Sequence, residues 1–248
     1  MADIDLIAQY DKKSPITEAY RAVRTNLQFA GAGKQIKLIS FTSTTPSEGK
    51  STTISNVAIT MAQDDKKVLL IDCDMRKPVQ HKKFGLPNKG LSNCIATGAD
   101  LDEVIQKEVL PNLDILPSGP VTPNPSELLG SARMSDILKD TTEAYDYVLL
   151  DMPPVLPVTD AAVLGSKVDG VVFVISAGSV APEEVKEAQN RLKQSGANVL
   201  GVILNKVPQH RGYGYNSGYY YYYYYDDDHT KHKGHRHHHH HTEEDSDK

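Results

Sequence analysis

Short runs of apolar and often β-branched residues recur along the chain: "IKLISFTS" (36 to 43), "KKVLLIDCD", "NLDILPS", "YDYVLLDMP", "DGVVFVISA" and "ANVLGVILNKV". Each is too short for a buried helix and is bounded by polar or turn-forming residues, so each is read as a buried strand. Between most of them lie helical stretches. Ser14 followed by Pro15 reads as a cap and a first-turn proline, opening "ITEAYRAVRTNLQFAG", which Gly31 and Gly33 close. Further helices are expected in "GKSTTISNVAITMAQ", "SELLGSARMSDILKD" and "PEEVKEAQNRLKQSG". Strands apolar on both faces that alternate with helices predict an open α/β domain, with a mostly parallel sheet covered by helices on both faces. Any crevice should then lie beyond the carboxyl ends of the strands.

After Val207 the pattern stops. "PQHRGYGYNSGYYYYYYYDDDHTKHKGHRHHHHHTEEDSDK" has almost no aliphatic residue, and burial there cannot offset the entropy of ordering. The 248 residues therefore divide into a domain over 1–207, with its first long helix over about 15–30, and an expected flexible Tyr/His-rich tail over 208–248. A net charge of −5 leaves no basic footprint for nucleic acid. Cys73 and Cys94 fit no disulfide or metal spacing, and a reducing cytosol is the natural compartment. The N-terminus lacks a signal-peptide layout, and no apolar run approaches the roughly 18 residues of a membrane span.

Chemistry enters where the first strand runs into "STTPSEGKSTT", which opens a helix. Gly49, Lys50 and Ser51 match the close of a phosphate loop: glycine admits the backbone to the ligand, lysine reaches the terminal phosphates, and the serine hydroxyl ligates Mg²⁺. The usual first glycine of such a loop is Thr44 here, so the context of strand before and helix after carries the identification. "VLLIDCDMR" ends a strand with Asp72 and Asp74, which a period of two puts on one side of the chain, and "YVLLDMPP" ends another with Asp151. Three carboxylates at strand ends beside a phosphate loop can hold hydrated Mg²⁺ and take a proton. Asn205, just past the last strand, is placed for an adenine edge or for a turn.

Together these segments resemble the bacterial tyrosine kinases of capsule and exopolysaccharide synthesis, P-loop NTPase-fold proteins of the deviant Walker class. "PSEGKSTT" resembles their Walker A, "LLIDCDMRKP" their Walker A′, and "VLLDMPP" their Walker B. "LPSGPVTPNPSELL" and the tyrosine-rich end are similar to further family segments. The resemblance implies an ATP-dependent protein-tyrosine kinase using ATP and Mg²⁺. It implies nucleotide contacts from Thr45, Pro46, Ser47, Glu48, Gly49, Lys50, Ser51, Thr52 and Asn205, metal held by Ser51, Asp72 and Asp151, and catalysis by Lys50, Asp72, Asp74 and Asp151. Which aspartate serves as base stays open.

It also implies that Tyr213, Tyr215 and the unbroken row Tyr219, Tyr220, Tyr221, Tyr222, Tyr223, Tyr224 and Tyr225 are phosphoacceptors. Glu18, Arg21 and Arg24 fall within one stripe of the first long helix, and the family uses a Glu-x-x-Arg-x-x-Arg element to join subunits into a ring. With no span, the chain resembles the split type, and the resemblance implies as partners its own copies, a membrane activator of the polysaccharide co-polymerase kind and a cognate tyrosine phosphatase. The protein would be cytoplasmic and recruited to the inner membrane face. Two other readings stand beside this one. A MinD- or ParA-like positioning ATPase would hydrolyse ATP without making phosphotyrosine, but such proteins carry a signature lysine where this chain has Thr45. A non-enzymatic tail could bind metal through "HRHHHHH", to which no metal function is assigned.

Overall fold

The computed structural model describes residues 4–31 and 33–208. In chain order the elements are α1 (Ile7–Tyr10), α2 (Pro15–Phe29), β1 (Leu38–Ser43), α3 (Lys50–Ala62), β2 (Val68–Asp72), α4 (Gln80–Lys83), α5 (Leu91–Thr97), α6 (Leu101–Val104), β3 (Gln106–Leu110) and β4 (Leu113–Leu116). They continue with α7 (Pro125–Gly130), α8 (Ala132–Ala144), β5 (Tyr147–Asp151), α9 (Asp160–Gly165), β6 (Gly170–Ser176), α10 (Pro182–Gln194) and β7 (Val199–Asn205). The seven strands make one sheet in the order β3-β4-β2-β5-β1-β6-β7. All neighbours are parallel except the β3/β4 pair.

Strict alternation along each central strand supplies both faces of the sheet. Val68 and Leu70 of β2, Ile39 and Phe41 of β1, and Val172 and Val174 of β6 pack under α1 and α3. Leu69 and Ile71, Leu38, and Val171 and Phe173 point the other way, into the layer built by α5 and α7 to α10. A strand buried on both sides is mostly apolar, which is why β2, β5 and β6 read as nearly continuous apolar runs, whereas β1 also buries Ser40, Thr42 and Ser43. Helix α3 is itself buried on nearly every side, lying between the sheet and α2. Its position fixes the start of the helix, and therefore the loop before it, against the sheet.

Two details differ from the sequence expectation. The stretch "SELLGSARMSDILKD" forms two helices, because Ser131 adopts an extended conformation (φ −65°, ψ 160°) and its hydroxyl accepts from Met134 N at 3.2 Å to cap α8. Strand β3 was not anticipated. It is an antiparallel edge strand with partly exposed residues and an irregular register, held at Glu108, whose backbone N–H donates to buried Asp114 at 2.7 Å.

Candidate active site

The order of the sheet places β1 between β5 and β6, so the chain leaves β1 at the point where successive connections run to opposite sides. A crevice forms at such a reversal, past the carboxyl ends of the strands. Here it measures about 690 Å³ and is lined by the loop residues Pro46, Ser47, Gly49, Lys50, Ser51 and Thr52, by Asp74, and by a set of cations discussed below. A second cleft at the opposite ends of the strands is lined in part by Lys37 and Lys167, but both ammonium groups donate to backbone carbonyls, of Thr142 and Gly130.

The loop after β1 is shaped by two left-handed residues, Ser47 (φ 68°) and Gly49 (φ 91°). Gly49 is also the N-cap of α3, and a Cβ there would lie 2.1 Å from the side-chain nitrogen of Asn205. Only glycine meets both demands. Asn205, at the end of β7, donates its amide to Glu48 O at 2.9 Å and so seals the loop to the sheet. Glu48 is buried and braces the loop with its carboxylate, accepting from Thr45 N at 2.6 Å and from Ser176 N at 3.0 Å. Thr45 and Glu48 are outside the crevice lining, as is Asn205.

Lys50 is the first residue of α3. Its ammonium lies 3.1 Å from Ser51 Oγ, 3.2 Å from Asp74 Oδ2 and 3.2 Å from Asp151 Oδ1. Burial opposes the charge, yet the carboxylates of Asp151 and Asp74 hold the lysine pKa above its ordinary value. Three hard oxygens thus converge on a single cation, the donor set that Mg²⁺ prefers. Among the described residues no group of three His, Cys, Asp or Glu side chains could hold a metal unaided.

The three carboxylates are not equivalent. Asp72 and Asp151 end β2 and β5 and face each other in register. Asp72 is fully buried, and both of its oxygens are occupied: Oδ1 accepts from Asp74 N at 3.1 Å, and Oδ2 accepts from Val79 N and Gln80 N at 2.9 Å each. Burial, reinforced by the neighbouring Asp151, pushes its pKa up to about 7. Asp151 is also fully buried, with Oδ1 on Lys50 and Oδ2 accepting from Gln80 Nε2 at 2.7 Å. Of the three, only Asp74 lines the crevice.

Several residues of the crevice have no role that the sequence announces, although Arg76 and Lys77 fall within "LLIDCDMRKP". Arg76 stands at the crevice with its guanidinium on the fully buried Asp160, through Nε at 3.0 Å and Nη2 at 3.1 Å. Lys77, Lys82, Lys83 and Lys206 complete a cationic rim. Lys83 donates to Thr52 Oγ1 at 2.9 Å, and Lys206 to Ser47 O at 2.6 Å. Gln80 is the remaining unanticipated residue, buried at the hub of the carboxylates. The predicted phosphoacceptors Tyr213, Tyr215 and Tyr219 to Tyr225 lie outside the described residues.

Of the three α2 residues expected to join subunits, Glu18 and Arg21 pair with each other on the surface. Arg24 is turned into its own subunit, donating to Thr60 O at 2.9 Å near the end of α3, with Asp64 at 3.5 Å. Among the described residues no helix is long and apolar enough to cross a membrane, and Cys73 and Cys94 are both free and buried.

Comparison with known proteins matches residues 36–199 to a family model described as an AAA domain. The tyrosine-protein kinase YwqD of Bacillus subtilis (strain 168) is 42% identical over 214 residues, spanning 85% of this chain and 90% of its own length. The tyrosine-protein kinase CpsD of Streptococcus agalactiae is 39% identical over 210 residues, spanning 84% of this chain and 91% of its own. Among solved structures, the kinase domain of the Escherichia coli tyrosine kinase ETK superposes with a TM-score of 0.77 at 36% identity, covering 84% of each chain.

Proposed function

The chain belongs to the P-loop tyrosine-protein kinases, and from that premise we propose that it transfers the γ-phosphate of ATP to tyrosines of its own C-terminal row, delivered by a neighbouring subunit. The convergence of Ser51, Asp74 and Asp151 on the Lys50 ammonium is the observation that supports this reading most strongly. Ser51 and Asp151 would hold Mg²⁺, with Asp72 behind them. When bound, the ion would neutralise charge developing on the phosphoryl oxygens.

The roles of the side chains follow from their surroundings. The loop from Pro46 to Thr52, opening onto the first turn of α3, offers its N–H groups and the positive end of the helix to phosphate. Lys50, held charged by its carboxylate partners, is the side chain to stabilise the transferring group. Asp74 is favoured over Asp72 as base because it lines the crevice and Asp72 does not; the oxygens of both already accept, those of Asp74 from Lys77 N at 3.0 Å and Lys50 Nζ at 3.2 Å. In the step, the phenol oxygen bonds to the γ-phosphorus, the bond to the bridging oxygen of ADP breaks, and the phenol proton passes to the Asp74 carboxylate. Tyrosine has an ordinary pKa near 10, so that proton leaves late and needs an acceptor in place. Lys77, Lys82, Lys83 and Lys206 would draw a polyanionic nucleotide to the crevice.

Control of capsular or exopolysaccharide synthesis, activation by a membrane protein of the co-polymerase type, a ring assembly and reversal by a tyrosine phosphatase complete the proposal. Trans delivery has a direct test. A Lys50→Met chain with an intact tail is mixed with an active chain whose nine tail tyrosines are phenylalanine, in ATP and Mg²⁺, and probed for phosphotyrosine. Label on the Lys50→Met chain is expected. Label that forms only when active site and tail belong to one chain would refute delivery between subunits.

A further inference from the structure

Helix α4 is a single turn with no obvious sequence signal, yet its first residue, through side chain and backbone, touches four residues of the site. Gln80 is fully buried. Its Nε2 donates to Asp151 Oδ2 at 2.7 Å and to Ser51 O at 3.2 Å, its Oε1 lies 2.7 Å from the Ser55 hydroxyl, and its backbone N–H donates to Asp72 Oδ2 at 2.9 Å. The orientation of the amide is fixed by chemistry, because Asp151 and the Ser51 carbonyl can only accept. One neutral residue therefore donates to both members of a facing carboxylate pair, and also ties them to the first turn of α3.

We propose that Gln80 is a positioning residue for the magnesium site: by occupying Asp151 Oδ2 and anchoring Ser51, it keeps Asp151 from closing both oxygens on Lys50 and presets the spacing of the metal-binding oxygens. The inference rests on the reading that Ser51 and Asp151 hold Mg²⁺. A carboxylate beside an ammonium in a dry site gains from every additional contact, since the local dielectric strengthens each one. Freed from Gln80, Asp151 can turn its second oxygen toward Lys50. The pair would then compete with metal for the carboxylate and with phosphate for the lysine. Residues that orient metal-binding carboxylates commonly alter metal affinity by about 10- to 100-fold when removed.

Gln80→Met keeps the length and most of the volume of the side chain but removes all three of its polar contacts. The test titrates Mg²⁺ against a fluorescent ADP analogue on the purified full chain, alongside binding in EDTA and a thermal melt. For Gln80→Met the expected result is ADP binding in EDTA within about twofold of the parent and a Mg²⁺ half-saturation raised about tenfold. Ser55→Ala, which removes the hydroxyl that contacts Gln80 Oε1 at 2.7 Å and the Ser51 carbonyl at 2.6 Å, loosens the same anchor from the α3 side; it is expected to shift half-saturation the same way by a few-fold, and it keeps the question answerable if the methionine variant does not fold. Unchanged half-saturation in the variant that folds overturns the inference, as does an equal loss of binding with and without metal, the mark of a merely structural role. If the parent itself shows no gain from Mg²⁺, the metal reading of Ser51 and Asp151 falls first and takes this inference with it.

Discussion

Asp72 shows how a buried carboxylate can be indispensable in place and still costly. Held at about pKa 7 by burial and by Asp151, it favours its protonated form inside the fold, whereas in the unfolded chain it titrates near 4. A folded-state pKa above the unfolded one gives stability that is complete at low pH and lost as pH rises through the folded value. The melting temperature of the nucleotide-free protein should thus fall between about pH 4 and about pH 7, and Asp72→Asn should flatten that slope. Parallel melting profiles for parent and variant would show that Asp72 does not set it. At this scale the sequence spoke clearly for residues that close the phosphate loop or a strand, and hardly at all for those brought to the site by tertiary contacts, charged Lys82, Lys83 and Lys206 as much as neutral Gln80. Asp72, Asp74, Asp151 and Lys50 were legible because carboxylates at strand ends and a lysine after glycine belong to phosphate chemistry. Gln80 was not, because its importance lies in four partners brought together from β2, β5 and α3, none of them adjacent in sequence. Glu48 has a job that its place in the loop does not announce: its carboxylate braces Thr45 and Ser176.

At the scale of elements, α3 organises the site, and small contacts hold the N-terminal segment to it. Buried Asn56 accepts from Ala8 N at 2.9 Å and donates to Thr52 O at 2.8 Å, pinning the one-turn α1 against the helix. Asn56→Ala leaves a buried backbone N–H without its acceptor and should lower stability by about 1 to 3 kcal/mol in urea unfolding. Backbone amides of residues 7–10 should exchange faster in the same variant. Unaltered exchange there would mean that α1 is held by its apolar contacts through Leu6 and Ala8 alone. The long elements were readable for a simple reason. Central strands of a parallel sheet are apolar on both faces, and α2 begins with a serine cap and a proline. The short ones were not: α4 and α6 are single turns, and "QKEVL" of β3 carries the mixed polarity of a sheet edge.

At the scale of the whole molecule, the stripe on α2 separates into two jobs. Arg24 serves its own fold through the Thr60 carbonyl, while among the described residues the Arg21 guanidinium pairs with Glu18 on the surface, where an ion pair contributes little to stability. If the stripe joins subunits, Arg21→Ala should dissolve the assembly in sedimentation with its melting temperature unchanged, whereas Arg24→Ala should also lower that temperature. Retention of the parent's sedimentation by both variants would remove the stripe from the interface.

The central claim is that the Lys50 loop and its carboxylates form one phosphotransfer site acting on the chain's own tyrosines. Incubating the pure protein with ATP and Mg²⁺, then mapping phosphate by mass along residues 208–248, tests it most directly. The parent should carry phosphate within Tyr213 to Tyr225, and Lys50→Met, alone in solution, should carry none. A tail labelled to the same extent in pure Lys50→Met protein would contradict the account.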